Sequence, residues 1–158
     1  MGSRAYDRGT TAVMTVMTTV HRVVDRATGG RLGRRLGGAP VVWLTVLGRR
    51  SGKAQRVPLV HARDGDGPDA PSVLAGSRGG TAVTPAWAWN LRGHEERGEP
   101  ARVVDAVRGT EVEVDVRELH GAERDRCYAL MVRTYRGFAG YERQATTRTI
   151  PVFALTPR

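Results

Sequence analysis

Four short stretches of the 158-residue chain have residue types and spacing suited to chemistry. The first is Gly48-Arg49-Arg50-Ser51-Gly52, in which two glycines bracket two guanidiniums and a hydroxyl. Arginine offers fork-shaped donors that match a phosphate or carboxylate, serine adds a neutral donor, and the N–H groups of a tight turn can complete an anion nest. Spacing alone leaves this anion cradle and an ordinary solvated hairpin equally open. The second stretch is Ser77-Arg78-Gly79-Gly80, a small-residue loop that lets a flat ligand approach the backbone. The third is Pro85-Ala86-Trp87-Ala88-Trp89-Asn90-Leu91, whose tryptophans two residues apart face different ways on a helix. One belongs to the core and the other to a rim, where it could stack on a ring. The fourth is Tyr135, Phe138 and Tyr141, an aromatic every third residue. It reads either as one wall of a substrate pocket, with tyrosine hydroxyls as proton donors, or as a hydrophobic cap.

Other chemistries find little support. His21, His61, His94 and His120 are scattered and form no metal-binding pair, and no Ser–His–acid constellation follows from their order. Each histidine reads as structural or exposed. Glu95-Glu96 and Asp64-Asp66 read as surface carboxylates. Cys127 is the only cysteine, so no intrachain disulfide forms and no cysteine-based metal site exists; a reducing cytoplasm fits. No metal is expected.

The charge is unevenly placed. The chain carries 25 basic and 16 acidic residues. Up to Arg56 there are 11 basic residues against only Asp7 and Asp25, which already accounts for the whole excess of +9. So localised an excess points to one anion site rather than to a nucleic-acid coat, and the aromatic-interleaved basic patches of nucleic-acid binders are absent there. With 40% hydrophobic residues the chain is neither disordered nor fibrous. No run approaches the roughly 18 apolar residues of a membrane span, and no signal peptide is recognisable.

These segments need elements to hold them. Ala12–Ala27 has an apolar stripe of helical spacing (Val13, Val16, Val20, Val23, Ala27) and reads as a helix packed on a core. The competing reading lays it on a membrane surface, with Arg22 and Arg26 toward the headgroups. Thr28–Gly38 reads as a mobile glycine- and arginine-rich linker. Strands are expected at Val41–Leu47, Arg56–Arg63, Ser72–Ser77 and Ile150–Leu155. A hairpin is expected from Ala101–Val107 and Thr110–Arg117, turning at Arg108-Gly109. Asp64–Pro71 is a hairpin tip. Pro85–Leu91 reads as a short helix capped by Thr84 with Pro85 in its first turn. Gly121–Arg136 reads as a helix with Cys127, Leu130, Met131 and Thr134 inward. The pattern lacks βαβ alternation. It predicts an α+β, mainly β fold: about six mostly antiparallel strands curled into a small barrel, with an N-terminal helix and flanking helices. Residues 1–38 form the helix and loop, and residues 39–158 the barrel.

In order, Gly48-Arg49-Arg50-Ser51-Gly52, Val57-Pro58-Leu59, Ser77-Arg78-Gly79-Gly80, Pro85-x-Trp87-x-x-Asn90-Leu91 and Arg148-Thr149-Ile150-Pro151 resemble the deazaflavin-dependent nitroreductases. These are actinobacterial enzymes that use coenzyme F420 on a split, flavin-reductase-like β-barrel. The resemblance covers about residues 40–157, and 24 arginines to one lysine suit a GC-rich genome. It implies that Arg49, Arg50 and Ser51 hold the cofactor phosphate, with Arg56 and Arg78 nearby. It also implies that Pro58, Leu59 and Val60 line the deazaflavin ring, that Ser77, Gly79 and Gly80 approach its edge, and that Trp87 and Asn90 support the pocket. The basic N-terminal third would face the cofactor's acidic tail. The implied activity is hydride transfer from the reduced deazaflavin to a quinone, enone or nitro compound, with Ser77, Tyr135 and Tyr141 stabilising the developing anion. FMN or haem in the same barrel, or deazaflavin carriage without turnover, are the alternatives. The implied partners are a small-molecule substrate and no nucleic acid, with peripheral membrane contact through the first helix as the competing use of residues 1–38. The chain is expected to be a monomer or homodimer.

Overall fold

The computed structural model describes residues 35–105 and 109–158. The helix expected at Ala12–Ala27, most of the Thr28–Gly38 linker and the Ala106–Arg108 part of the hairpin lie outside the described residues. Among the described residues, eight strands and three helices follow in chain order: β1 (Arg35–Leu36), β2 (Ala39–Leu47), β3 (Ala54–Val60), β4 (Ala62–Arg63), β5 (Ser72–Ala75), α1 (Ala86–Arg97), β6 (Ala101–Asp105), β7 (Glu111–Leu119), α2 (Gly121–Thr134), α3 (Phe138–Gln144) and β8 (Val152–Pro157).

All strand pairs are antiparallel. The predicted Arg56–Arg63 strand is broken at His61 into β3, which pairs with β2, and β4, which pairs with β5. Following the partners through β5, β8, β7, β6 and back to β2 leads round the curled sheet of the expected split barrel. His61 is buried and holds the break, with its backbone N–H donating to Pro40 O and its Nδ1 3.2 Å from Ser72 Oγ.

The apolar runs at Ser72–Ala75 and Val152–Leu155 are continuous because both faces of these strands are buried, and neighbouring residues serve different cores. Leu74, Phe153 and Leu155 point into one cluster with Val42, Leu44, Val46, Leu91, Val103 and Val114. Val73, Val152 and Ala154 point the other way, against Cys127, Tyr128 and Met131 of α2 and Phe138 of α3. β7 has one wet face, as its alternation predicts: Val114 is fully buried, while Glu111, Glu113 and Asp115 are exposed.

Several expectations are corrected. The helix read as Pro85–Leu91 continues to Arg97, where Gly98 at φ 63° ends it with bonds back to Glu95 O and His94 O. Its cap position is taken by Pro85, not Thr84, and no side chain caps it. Proline suits that place because it has no N–H to satisfy. The tail of the predicted linker, Arg35–Leu36, is a strand paired with Pro40 and Ala39. A third helix follows α2 where only spaced aromatics were read. On α2 itself Cys127 and Met131 are buried as expected, but Leu130 and Thr134 are only half-buried, and Arg124 and Tyr128 take the inward places.

Candidate active site

The arginine turn is held from two sides. Within it, Gly48 N–H donates to Lys53 O at 2.9 Å, Gly52 N–H to Gly48 O at 2.7 Å, and Lys53 N–H to Ser51 Oγ at 3.3 Å. A Cβ on Gly48 would stand 2.5 Å from Ser51 Oγ, so only glycine lets the serine fold back here. From outside, α1 reaches the turn with Asn90 and His94, one helical turn apart and both buried. Asn90 Oδ1 accepts from Arg49 N–H at 3.1 Å, and Asn90 Nδ2 donates to Gln55 Oε1 at 3.2 Å. His94 Nε2 accepts from Leu47 N–H at 2.9 Å. That bond fixes the tautomer: the ring proton sits on Nδ1, which lies 3.3 Å from Glu99 O and donates to it. The backbone of β2 and its turn is thus bonded at alternate residues to one face of one helix. Gly93 lies between these two contacts, and a Cβ there would meet Arg49 Cβ at 3.5 Å.

The result is an open cleft of about 350 Å³ lined by Arg49, Arg50, Trp89, Arg92, Gly93, Glu96 and Arg97. Arg49 and Arg92 both stack on Trp89, at 5.0 and 4.5 Å from the ring centre. Arg92 is also held by a bidentate pair with Glu118 at 2.6 and 2.7 Å, and Arg97 pairs with Glu99 at 2.8 Å. Arg49 and Arg50 have no carboxylate partner among the described residues. The two tryptophans divide as expected. Trp87 packs on the core, tilted against Phe153 at 6.1 Å, and Trp89 is the exposed one.

The second predicted loop lies at the other end of α1, where Ala88 Cβ would be 3.3 Å from a Cβ on Gly76. Ser77 is buried, and Arg78, Gly79 and Gly80 form a single 3-10 turn with φ of 46°, 65° and 77°. Arg78 is the only non-glycine with positive φ among the described residues, a conformation that costs about 1–2 kcal/mol. Gly80 is required by a close approach, since a Cβ there would come within 2.7 Å of Tyr141 O. This contact brings the loop against α3 and so places Tyr141 beside Gly80. Arg148 bridges the loop, its Nη2 donating to Ser77 O at 2.8 Å and its Nε to Thr81 O at 2.9 Å.

The remaining predicted residues are more spread out. Pro58, Leu59 and Val60 lie half-buried on β3, opposite Trp43, Val42 and Val41. Arg56, exposed on the same strand, stacks on Trp43 at 4.9 Å. Tyr135 and Tyr141 both meet Phe138 edge-on, at 5.9 and 5.5 Å, and Tyr128 meets it from a third side at 6.2 Å. The aromatics therefore pack as a cluster round Phe138. Tyr128 donates to Phe138 O at 2.8 Å, and burial pushes its hydroxyl up to about 12.

Reading the sequence missed three contributors. His94 was passed over as scattered, although its spacing of four from Asn90 on a helix was the available signal. Gln55 and Arg148 act on groups far off in sequence, and only the fold pairs them. No His, Cys, Asp and Glu cluster that could hold a metal is found among the described residues, and none of their helices is long and apolar enough to cross a membrane.

A family model described as F420H(2)-dependent quinone reductase matches residues 17–157. An F420H(2)-dependent quinone reductase of Mycobacterium tuberculosis is 32% identical over 78 residues, 49% of this chain and 50% of that protein. The chain thus spans about half the length of the curated relatives it matches. A solved structure of an F420-H2 dependent reductase is 31% identical, covering 73% of this chain and 93% of its own, with a TM-score of 0.61. A domain-swapped dimer is 27% identical over 91% of this chain and 98% of its own, with a TM-score of 0.62. A haem storage protein of Vibrio cholerae, 10% identical with a TM-score of 0.51, shares the fold alone. The match over residues 17–157, together with the ordered motifs, means that the chain belongs to the F420H(2)-dependent quinone reductase family.

Proposed function

We propose that this protein is an F420H2-dependent oxidoreductase that reduces an electron-poor small molecule, with a quinone as the first substrate class to test. The observation that carries the reading is the rigid turn of Arg49, Arg50 and Ser51, with two guanidiniums that no described carboxylate neutralises, in a chain of this family. Such a turn suits the phosphate of F420. Arg56 on β3 and Arg78 in the loop at the other end of α1 would add positive charge, Pro58, Leu59 and Val60 would offer an apolar rim, and Ser77, Gly79 and Gly80 the edge against which a flat ring can lie. Trp87 and Asn90 hold α1, and with it both edges, in place.

Reduced F420 supplies a hydride from its deazaflavin ring. The protein's part is to fix ring and acceptor in a reactive arrangement and to keep water out. Ser77 offers a hydroxyl at the loop edge, and Tyr141, beside Gly80, is better placed than Tyr135 to deliver a proton to the reduced acceptor. The site is assigned to residues 39–158, with residues 1–38 as an accessory segment facing an acidic cofactor tail or a membrane surface. The likeness to a domain-swapped dimer supports a homodimer.

Titrating the protein with F420, FMN and haem, followed by ring fluorescence or absorbance, tests the cofactor. F420 should bind in the micromolar range or tighter, and binding of FMN or haem without F420 overturns the reading. Turnover should fall by about tenfold or more in Tyr141→Phe at saturating F420H2 and less in Tyr135→Phe. Full turnover in both variants would remove the tyrosines from the mechanism.

A further inference from the structure

We propose that Arg148 is a positioning residue that sets the shape of the Ser77–Thr81 loop and through it the affinity for cofactor. The loop passes through three consecutive residues of positive φ, Arg78, Gly79 and Gly80, one of them not glycine. Within it, Gly80 N–H donates to Ser77 O at 2.9 Å and Thr81 N–H to Arg78 O at 3.3 Å. A backbone this unfavourable persists only where its surroundings hold it. Arg148 supplies the external hold. Its planar guanidinium grips the carbonyls at both ends of the turn, Ser77 O through Nη2 and Thr81 O through Nε. Two donors in a fixed fork set the separation of the two carbonyls, which a flexible ammonium with one point of charge cannot do.

The grip is useful only because Arg148 is itself fixed. On its C-terminal side, Ile150 O accepts from Nε and Nη2 of buried Arg124, at 3.3 and 3.0 Å, and Pro151 O accepts from Gly76 N–H at 2.8 Å. Arg124 is tied in turn to Glu142 of α3 at 2.8 Å, and α3 is the helix on which Gly80 rests. The loop, the Arg148–Pro151 segment and α3 are therefore tied to one another. The consequence for cofactor rests on the proposed F420 site; the shape of the loop does not.

The full-length wild type and Arg148→Lys are compared in three measurements: hydrogen exchange of peptides covering residues 76–82, F420 binding, and steady-state kinetics. The loop amides should exchange about tenfold faster in Arg148→Lys, with α2 and β8 unchanged. The F420 Kd should rise about tenfold, and kcat at saturating cofactor should fall by less than the Kd rises. Unchanged loop exchange, an unchanged Kd, or exchange raised equally in α2 and β8 overturns the proposal. If the lysine variant does not fold, Arg148→Ala with and without millimolar guanidinium replaces it, and failure of guanidinium to restore F420 affinity counts against the proposal. A wild type that does not bind F420 refutes the proposed function instead, and the exchange measurement still judges the clamp.

Discussion

Replacing Asn90 tests how much the arginine turn depends on α1. Asn90→Ala removes the acceptor of Arg49 N–H and the donor to Gln55 Oε1. Asn90 is only 5% exposed, but both of its partners belong to exposed residues, so water can replace part of what is lost. The Arg49 bond is then worth about 1–1.5 kcal/mol and the Gln55 bond about 0.5 kcal/mol, toward the lower end for hydrogen bonds. The summed loss of about 2 kcal/mol corresponds to a Tm lower by roughly 6 °C for a domain of this size. F420 affinity should fall further than stability alone dictates, because the folded variant still has a turn free to wander: about tenfold, or 1.4 kcal/mol. Asn90→Asp separates the two effects. It keeps an acceptor for Arg49 N–H, and so most of the Tm, but puts a carboxylate beside the guanidiniums that should receive a phosphate. Its affinity should fall at least as far as that of Asn90→Ala, and more steeply at low salt. Thermal melts and F420 fluorescence titrations at two salt concentrations give the answer. An Asn90→Ala protein that melts lower but binds F420 within twofold of wild type would show that α1 does not organise the anion site, and the argument from the turn would fail.

Gly80→Ala forces a Cβ to within 2.7 Å of Tyr141 O at a φ of +77°, so it should lose about 2–4 kcal/mol of stability by urea unfolding; a loss below 0.5 kcal/mol would mean that α3 is not seated on the loop. The bidentate bond from Arg126, and then its charge, hold the Asp64 carboxyl below its ordinary value. A lowered folded-state value stabilises the protein above the unfolded-state value near 4, and the contribution disappears as pH falls through the folded-state value. Asp64→Asn should therefore show a shallower loss of urea midpoint between about pH 5 and pH 2 than wild type, and equal slopes would discount this pair. Burial pushes the Cys127 thiol up, and it is 1% exposed, so Ellman's reagent at pH 8 should label it only after denaturant is added; labelling of the native protein at the rate of a free thiol contradicts the packing of α2.

Residues that act through their own neighbours in sequence were legible, and residues that act across the fold were not. The two-sided strands β5 and β8 announced themselves as unbroken apolar runs, and β7 by its Val–acid alternation, because burial on one or both faces is written directly into residue type. The second half of α1 was not legible. Arg92-Gly93-His94-Glu95-Glu96-Arg97 has little apolar periodicity and includes a glycine, yet His94 bonds it to β2 and Asn90 just before it to the arginine turn, while its arginines face the cleft. Tertiary bonds, rather than propensity, make it helical. For the candidate site, the motifs located the Arg49–Ser51 turn, the Ser77–Gly80 loop and the supporting Asn90, but gave Arg148 and His94 no role. His94 and Arg148 bond to backbone atoms that carry no residue identity, and only the spacing of four between Asn90 and His94 hints at the first of them.

β8 also sets an order of events in the cell. It pairs with β5 on one side and β7 on the other, and the segment that leads into it carries the arginine gripping the Ser77–Thr81 loop. During synthesis, β2, the arginine turn and α1 leave the ribosome well before β8. The nascent chain then holds a cationic turn and an incomplete, open-edged sheet without a finished ligand loop. Until β8 inserts, β5 and β7 each keep an unpaired edge, and such open edges are where another strand would pair wrongly.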